Sequence, residues 1–424
     1  MPTFSLASIK KIYFKNQLKF LEFIFLSLFL AFLPSLEAPK NIFLTGYLIT
    51  ALYRQSQLSS SKWGIWDWIF LSLIASSFLS ALFPFISGGS EWKGFRGILL
   101  WVTFGWTLFR SDYDIDQKKY LFIFAILVTL PPLIWGLTEF LVLHTKEALE
   151  LHSVGQMNHS AIYLCMIAGA SFSLLAVLLS QLQAVQKIYV FVVTLLCIFF
   201  IFSVLTSQSR GAFGILFLLV FTLILLNKLS IKIKTLLLAL LTTFLVTIVF
   251  IKPTQVIEKQ KNYQKHHNTL SNRDKVWRTS FEVARFNPVF GIGGGNWKQI
   301  NIDQLKSSVE SRGEKFNAEE FALLWGHPHN IYLSNLVDRG ILGFITFLSF
   351  MLIWLITLIK SYKKLNQDSK AMLFIMGSFS AWTTIFGIGF VNTTFHHENA
   401  LLALFFLSLH LNYLRQRNQL KLFN

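Results

Sequence analysis

Long apolar runs separated by short polar stretches recur along almost the whole chain. Twelve of them approach or exceed the length needed to cross a hydrocarbon core of about 30 Å. They lie at 20–36, 41–54, 68–86, 95–109, 120–143, 159–181, 187–207, 211–227, 233–252, 331–359, 371–391 and 399–414. The apolar residues in each run are continuous rather than alternating, which predicts helices and argues against a transmembrane β-barrel. The pattern therefore predicts an all-α polytopic membrane protein with about twelve transmembrane helices.

One long polar stretch interrupts this pattern and divides the chain into three parts. Residues 1–252 carry predicted helices one to nine, 253–330 form a large loop, and 331–424 carry helices ten to twelve and a tail. Loops of this length are uncommon unless they have a function. We therefore expect the chemistry of the protein to lie in or beside this loop.

The composition agrees with a membrane protein. Hydrophobic residues make up 54% of the 424 residues and charged residues 14%, whereas a soluble domain carries about 25% charged residues. A soluble enzyme, a disordered protein and a nucleic-acid-binding module are thereby excluded. Cys165 and Cys197 both lie in apolar runs, so neither a disulfide framework nor a cysteine zinc site is expected.

The net charge of +17 is mainly explained by topology. If the N-terminus is cytoplasmic, the cytoplasmic segments carry 20 Lys and Arg, whereas the short outer loops carry 5. This is the positive-inside pattern, and it predicts that both termini are cytoplasmic and that the large loop is periplasmic.

An amphipathic helix is predicted within the loop at 271–286, ending at Asn287-Pro288. Its apolar stripe consists of Val276, Trp277, Phe281 and Ala284. Arg273 and Arg278 are about 140° apart around such a helix, so they do not point into the same site. Arg273 is the functional candidate. Arg278 is expected on a solvated or ion-paired face with Glu282 and Arg285, where Glu282 can pair with either arginine.

The glycine-rich stretch Gly291-Ile-Gly-Gly-Gly-Asn296 resembles a phosphate-binding loop only superficially, because no hydrophobic strand precedes it. We interpret it as a backbone turn that requires positive φ.

Arg210 is the first candidate for binding an anion. It lies in Ser207-Gln-Ser-Arg210-Gly-Ala, which joins two predicted spans through almost no loop. A charge at the edge of a span is costly unless it is paired or has a ligand. An anion clamp facing the bundle interior and an arginine that extends to lipid headgroups both fit this position.

His329 is the candidate general base. Pro328 suits the first turn of a helix, so His329 is predicted in that turn, where the helix dipole disfavours the protonated imidazole. A neutral histidine can accept a proton, although a helix-capping or core histidine is the structural alternative. A metal site at His327 and His329, or at His396, His397 and Glu398, is a weaker possibility. His144, His152 and His159, together with Asn158, could shape an acceptor cleft, although solvated loop residues are the favoured alternative.

These motifs resemble those of one protein family. The Arg210-Gly-Ala hairpin is followed by Arg273-x-x-x-Trp277, Asn287-Pro288-x-x-Gly291-x-Gly293, His329-Asn330-x-Tyr332-Leu333 and Gly340-Ile-Leu-Gly343. Together, over about 206–345, they are similar to the O-antigen ligase and O-antigen polymerase superfamily of bacterial polysaccharide assembly.

The resemblance implies a GT-C-like, inverting membrane glycosyltransferase that needs no metal and no cofactor. It implies catalytic roles for Arg210 and Arg273 and a general-base role for His329. We expect further substrate-binding side chains at Trp277, Arg278, His327, Asn330, Tyr332 and His397.

The implied function is that of an O-antigen ligase in the bacterial inner membrane. Its partners would be a glycan donor on undecaprenyl pyrophosphate, a lipid A–core acceptor and membrane lipids, with no nucleic acid. A polymerase or a protein O-oligosaccharyltransferase of the same superfamily shares the motifs. A transporter or flippase is disfavoured because, apart from Glu22 and Glu139 near span ends, the spans are nearly free of charge.

Overall fold

The computed structural model describes residues 17–57, 62–181, 187–251, 272–323, 326–417 and 419, and this part of the chain is helical. Leu151 and Gly155 form an isolated antiparallel β-bridge in this part of the chain. The helices are α1 (Gln17–Phe32), α2 (Glu37–Gln57), α3 (Ile65–Leu82), α4 (Ser90–Arg110), α5 (Ile115–Leu127), α6 (Leu130–Leu141), α7 (Met157–Ser180), α8 (Lys187–Thr206), α9 (Arg210–Leu226), α10 (Ile231–Ile251), α11 (Arg273–Ala284), α12 (Ile302–Glu310), α13 (Ile331–Leu365), α14 (Ser369–Ile388) and α15 (His397–Gln416). Short 3-10 turns lie at Asn296–Gln299 and Ala318–Glu320.

Each predicted apolar run coincides with one helix or, at 120–143, with the pair α5 and α6. That pair divides at Pro131-Pro132, where proline cannot continue the hydrogen-bonding pattern of α5. Six described segments are both long and apolar enough to cross a membrane: Ile65–Leu82, Ile115–Leu141, Met157–Ser180, Lys187–Thr206, Ile331–Leu365 and Ser369–Ile388. The protein is a multi-pass membrane protein, and a total of about twelve spans stays a prediction.

The centre of the bundle is formed by α7, α14 and α15. Almost all side chains of α7 are buried. It can approach α14 closely because Gly169 lies against the Ser380 side chain, where a Cβ would come within 2.6 Å. The described loop residues, 272–323 and 326–330, lie at one end of this bundle, which we call the loop side.

The loop is joined to the bundle through a break in α13 at Gly340, which has φ 61° and ψ −164°. The N–H of Ile341 donates to the carbonyl of Pro288 at 2.8 Å, and the N–H of Ile292 donates to the carbonyl of Val337 at 2.9 Å. These loop residues therefore satisfy backbone groups that the helix loses at the break. We call this arrangement the Gly340 junction.

Only glycine fits the two sides of this junction. A Cβ at Gly340 would collide with the backbone of Val289. Gly291, with φ 76°, lies so close to α13 that a Cβ there would come within 2.5 Å of the Val337 carbonyl oxygen. Gly293 and Gly295 also have positive φ, 91° and 88°. The interpretation of this stretch as a backbone turn is confirmed. The Asn287-Pro288 motif and the Gly340 motif contact each other at this junction.

The predicted loop helix is present as α11, although its first two predicted residues are not part of it: residue 271 lies outside the described residues, and Asn272 caps the helix. The predicted apolar stripe is wrong at Phe281, which is 56% exposed. Thr279 and Ser280 are buried instead. They fit there because their hydroxyls donate to backbone carbonyls one turn earlier, at 2.9 and 2.7 Å.

Candidate functional site

A cavity of about 1170 Å³ lies at the loop side of the bundle. Its walls come from the starts of α4, α7, α9, α11, α13 and α15 and from the turns that precede α13 and α15. The described residues that line it include five of the predicted site residues: Arg210, Arg273, His327, His329 and His397. Segments separated by almost two hundred residues in sequence therefore meet in one chamber.

Arg210 is the first residue of α9, directly after the N-cap Ser209. Gly211 allows this helix start to lie against the turn after α14, since a Cβ there would come within 2.9 Å of the Val391 side chain. Both Arg210 and Gly211 line the cavity. The placement fits the anion clamp that faces the bundle interior.

Arg273 and Arg278 are separated as their helical spacing predicts. Arg273 starts α11 and lines the cavity. Arg278 is on the outer face, where it forms an ion pair with Glu320 and lies over the Phe321 ring at 5.5 Å. Glu282, for which Arg278 and Arg285 were both expected partners, pairs with Arg285 at 3.3 Å and also binds Arg312 with two bonds of 2.6 and 2.9 Å.

His329 lines the cavity, but the prediction that it lies in a first helical turn is wrong. The helix α13 begins at Ile331, and Asn330 is its N-cap. The Asn330 Oδ1 accepts the N–H groups of Tyr332 and Leu333 at 2.9 and 3.0 Å, which fixes the helix start after His329. His329 itself has left-handed backbone geometry, with φ 49°.

The neutral state of His329 follows from its surroundings rather than from a helix dipole. The pKa of His329 is lowered to about 3, mainly by burial and further by the neighbouring His327 and Arg273. A hydrogen bond with Asn392 raises this pKa but does not outweigh the other effects. Burial is likewise the first cause that lowers the pKa of His327 to about 4. Both imidazoles are therefore neutral at pH 7.

His327 supports His329 directly. The backbone N–H of His329 donates to Nδ1 of His327 at 3.3 Å, and the ring centroids are 4.1 Å apart. The Thr393 hydroxyl lies 3.4 Å from the same Nδ1 and 3.0 Å from the hydroxyl of Ser334. The two histidines thus belong to a polar network that ties the loop to α13 and the turn after α14.

His396 and His397 form a second wall of the cavity, edge-on to Trp101 at 5.9 and 5.8 Å between centroids. Behind them, Glu398 forms a buried ion pair with Lys40. In the described part of the chain no group of three or more His, Cys, Asp or Glu side chains is arranged to hold a metal ion.

The other predicted substrate-binding residues do not line the cavity. Asn330 caps α13 and donates to the Phe390 carbonyl at 3.0 Å. The Tyr332 hydroxyl donates to the Phe386 carbonyl at 2.9 Å, and its ring packs on Phe390. Trp277 and Arg278 lie on α11 outside the lining residues. A substrate role for these four stays a prediction.

Several lining residues were not predicted. Asn392 and Thr393 lie in a short turn without a recognisable motif, and Trp101 lies inside an apolar run. Arg339 did give a signal, because Asp338-Arg339 is a charged pair within the run 331–359. The statement that the spans are nearly free of charge therefore overlooked this pair. Of the four residues considered for an acceptor cleft, Asn158 and His159 line the cavity, whereas His144 and His152 are not among its lining residues.

The charge of the cavity is strongly one-sided. Among the described lining residues, the lysine and arginine side chains are Lys93, Arg210, Arg273, Lys298 and Arg339. Asp338 is the carboxyl group that faces them in this part of the chain. Such a lining favours an anionic ligand.

Residues 195–348 match a protein family described as O-Antigen ligase. No curated protein matches the chain. The matched range includes Arg210, Arg273, His329 and the whole Gly340 junction, and it coincides closely with the stretch in which the sequence motifs lie. The match over this range supports the resemblance of the chain to the O-antigen ligase and polymerase superfamily.

Proposed function

We propose that the protein is an O-antigen ligase that transfers a glycan from undecaprenyl pyrophosphate to a hydroxyl group of lipid A–core oligosaccharide. The observation that carries this proposal is the meeting of Arg210, Arg273 and His329 in one cationic cavity inside the family-matched range. The donor is a lipid with a pyrophosphate, and the cavity offers guanidinium groups at the loop-side ends of apolar helices.

His329 acts as the general base in this proposal. Its neutral imidazole takes the proton from the acceptor hydroxyl, whose oxygen then attacks the anomeric carbon of the donor sugar. The bond between that carbon and the pyrophosphate oxygen breaks, and the pyrophosphate leaves with the electron pair. Attack from the face opposite the leaving group inverts the anomeric configuration, as in GT-C-like glycosyltransferases.

Arg210 and Arg273 bind the pyrophosphate and stabilise the charge that develops on it. A guanidinium keeps its charge and matches phosphate oxygens with two parallel N–H bonds. Charges that are already in position can stabilise a transition state without a metal ion. The proposed reaction therefore uses no metal and no cofactor.

The sidedness of the reaction follows from the distribution of Lys and Arg. We infer that the protein lies in the bacterial inner membrane with both termini in the cytoplasm. The loop side and its cavity then face the periplasm, where donor and acceptor are both lipid-anchored. The division into helices one to nine, the loop 253–330 and helices ten to twelve is part of this proposal.

The decisive experiment is deletion of the gene in a strain that makes lipopolysaccharide with long glycan chains. A ligase predicts loss of long chains from lipid A–core while the lipid-linked polymer accumulates. Single repeats on the core, with no long lipid-linked polymer, would show a polymerase instead. Loss of glycan from proteins with normal lipopolysaccharide would show a protein O-oligosaccharyltransferase.

A further inference from the structure

One face of α13 points into the cavity. The lining residues from this helix are Ile331, Ser334, Asn335, Asp338 and Arg339. Their spacing of three and four residues places them on a single helical face. Arg339 is eight residues beyond the start of the helix, about 12 Å along its axis at 1.5 Å per residue. The cavity therefore extends along α13 from His329 to Arg339.

Arg339 lies beside the loop-side end of α3. The carbonyl of Asp338 accepts a hydrogen bond of 2.8 Å from the Ser80 hydroxyl, two residues before α3 ends at the loop side. Arg210 also lies at the loop-side end of its helix, and Arg273 starts α11. The three arginines thus come from three different elements that meet at the same boundary of the bundle.

The guanidinium of Arg339 is held in place by its own helix. Its Nη1 donates to Oδ1 of Asn335 at 2.6 Å. Gly340, directly after it, breaks the helix. A guanidinium has five N–H donors, and the bond to Asn335 engages one of them. Asn335 therefore orients the Arg339 side chain, and Arg339 lines the cavity.

We propose that Arg339 is a third guanidinium of the donor site and binds the pyrophosphate of the lipid-linked donor from the α13 side. The inference rests on the proposed function and names an additional residue of the same site. A glycosyl pyrophosphate diester carries a charge of about −2, and the departing lipid pyrophosphate carries about −3. A third guanidinium supplies positive charge for the increase that occurs as the bond breaks.

The test is binding of geranylgeranyl pyrophosphate, a short polyprenyl pyrophosphate, to the purified full-length protein in lipid nanodiscs. Arg339→Gln should weaken binding about tenfold or more because a charge-assisted bond is lost. Arg339→Lys should give an intermediate loss, because the charge stays but the fork is lost. Arg285→Gln is the matched control, since Arg285 lies at the exposed C-terminal end of α11 and is not among the cavity-lining residues, and it should bind like the unchanged protein.

The same series separates this inference from the proposed function. If Arg210→Lys and Arg273→Lys lose binding while Arg339→Gln and Arg339→Lys bind normally, the role of Arg339 is refuted and the donor site stands. If the unchanged protein does not bind the probe, the proposed donor fails together with the inference. Thermal unfolding and gel filtration check folding, and the Lys variant decides the matter if the Gln variant does not fold.

Discussion

The imidazole of His327 accepts the backbone N–H of His329, with 3.3 Å between Nδ1 and the amide nitrogen. This bond assigns the two histidines different tasks, because a ring nitrogen that accepts an amide N–H is engaged in holding the turn. His327 stabilises the left-handed backbone at His329, which costs free energy for a residue with a Cβ. His329 then presents its own ring to the cavity.

The first prediction concerns these two residues. His329→Ala should reduce transfer by about 10²-fold or more because the general base is removed. His327→Ala should be much milder, since it loosens the turn without removing the base. The measurement is in-vitro transfer from lipid-linked donor to lipid A–core with equal amounts of folded protein. Near-normal turnover of His329→Ala, or a greater loss in His327→Ala, would refute the assignment.

The second prediction concerns the arginine clamp. Arg210→Lys and Arg273→Lys keep the positive charge but lose the bidentate fork, so each should still be strongly impaired in transfer. Arg285→Lys is the control at the C-terminal end of the same helix, because the exposed ion pair of Arg285 with Glu282 tolerates lysine. A lysine variant at 210 or 273 with unchanged activity would be incompatible with the clamp.

The third prediction concerns pH. Burial lowers the pKa of His329 to about 3, whereas an exposed histidine has a pKa of about 6.5. A base with a lowered pKa stays deprotonated at lower pH, so transfer should not decline between pH 8 and pH 5 through protonation of this residue. The check is the pH dependence of kcat. An acidic limb with a midpoint between pH 6 and 7 would show that His329 is not the base or is not buried during turnover.

The fourth prediction concerns metal ions. Because arginines supply the positive charge in the proposed reaction, transfer by the purified protein should survive EDTA. A parallel assay with added Mg²⁺ or Mn²⁺ is the control, and the added ion should change the transfer rate little. Loss on chelation and recovery with a divalent ion would favour a metal site at the cavity histidines.

The fifth prediction concerns the Gly340 junction. Gly340→Ala should destabilise the protein and abolish transfer, because a Cβ at this positive φ collides with the backbone of Val289. Gly214→Ala in α9 is the matched control, since a Cβ at Gly214 meets nothing within 4 Å. Thermal unfolding should separate the two variants clearly. Equal stability of the two variants would contradict this prediction, because it would mean that α13 can form a continuous helix through residue 340.

The helices could be predicted from the sequence because apolar runs of this length have few alternatives in a membrane. The separation of Arg273 from Arg278 could also be predicted, since it depends only on residues per turn. Both rest on local periodicity, which one sequence displays completely.

The position of His329 could not be predicted correctly. Pro328 and Asn330 are both typical of a helix start. The helix begins after Asn330 because the Asn330 side chain accepts hydrogen bonds from two backbone N–H groups of the first turn. Phe281 was misplaced for a related reason: the periodicity of α11 does not show that small hydroxyl side chains fill its buried face. Asn392 gave no signal, because its relation to His329 depends on how α13 and α14 pack.

The Gly340 junction bears on how such enzymes can be recombined. Peptide groups of α13 are satisfied by residues 288–292, so each partner completes the backbone of the other. If the loop of a relative replaced this one, its backbone N–H and carbonyl groups would lack their hydrogen-bond partners in α13. The backbone groups of α13 at the Gly340 break would also lose their partners. Exchange of this loop between relatives therefore requires that residues 287–293 and 337–343 be exchanged together.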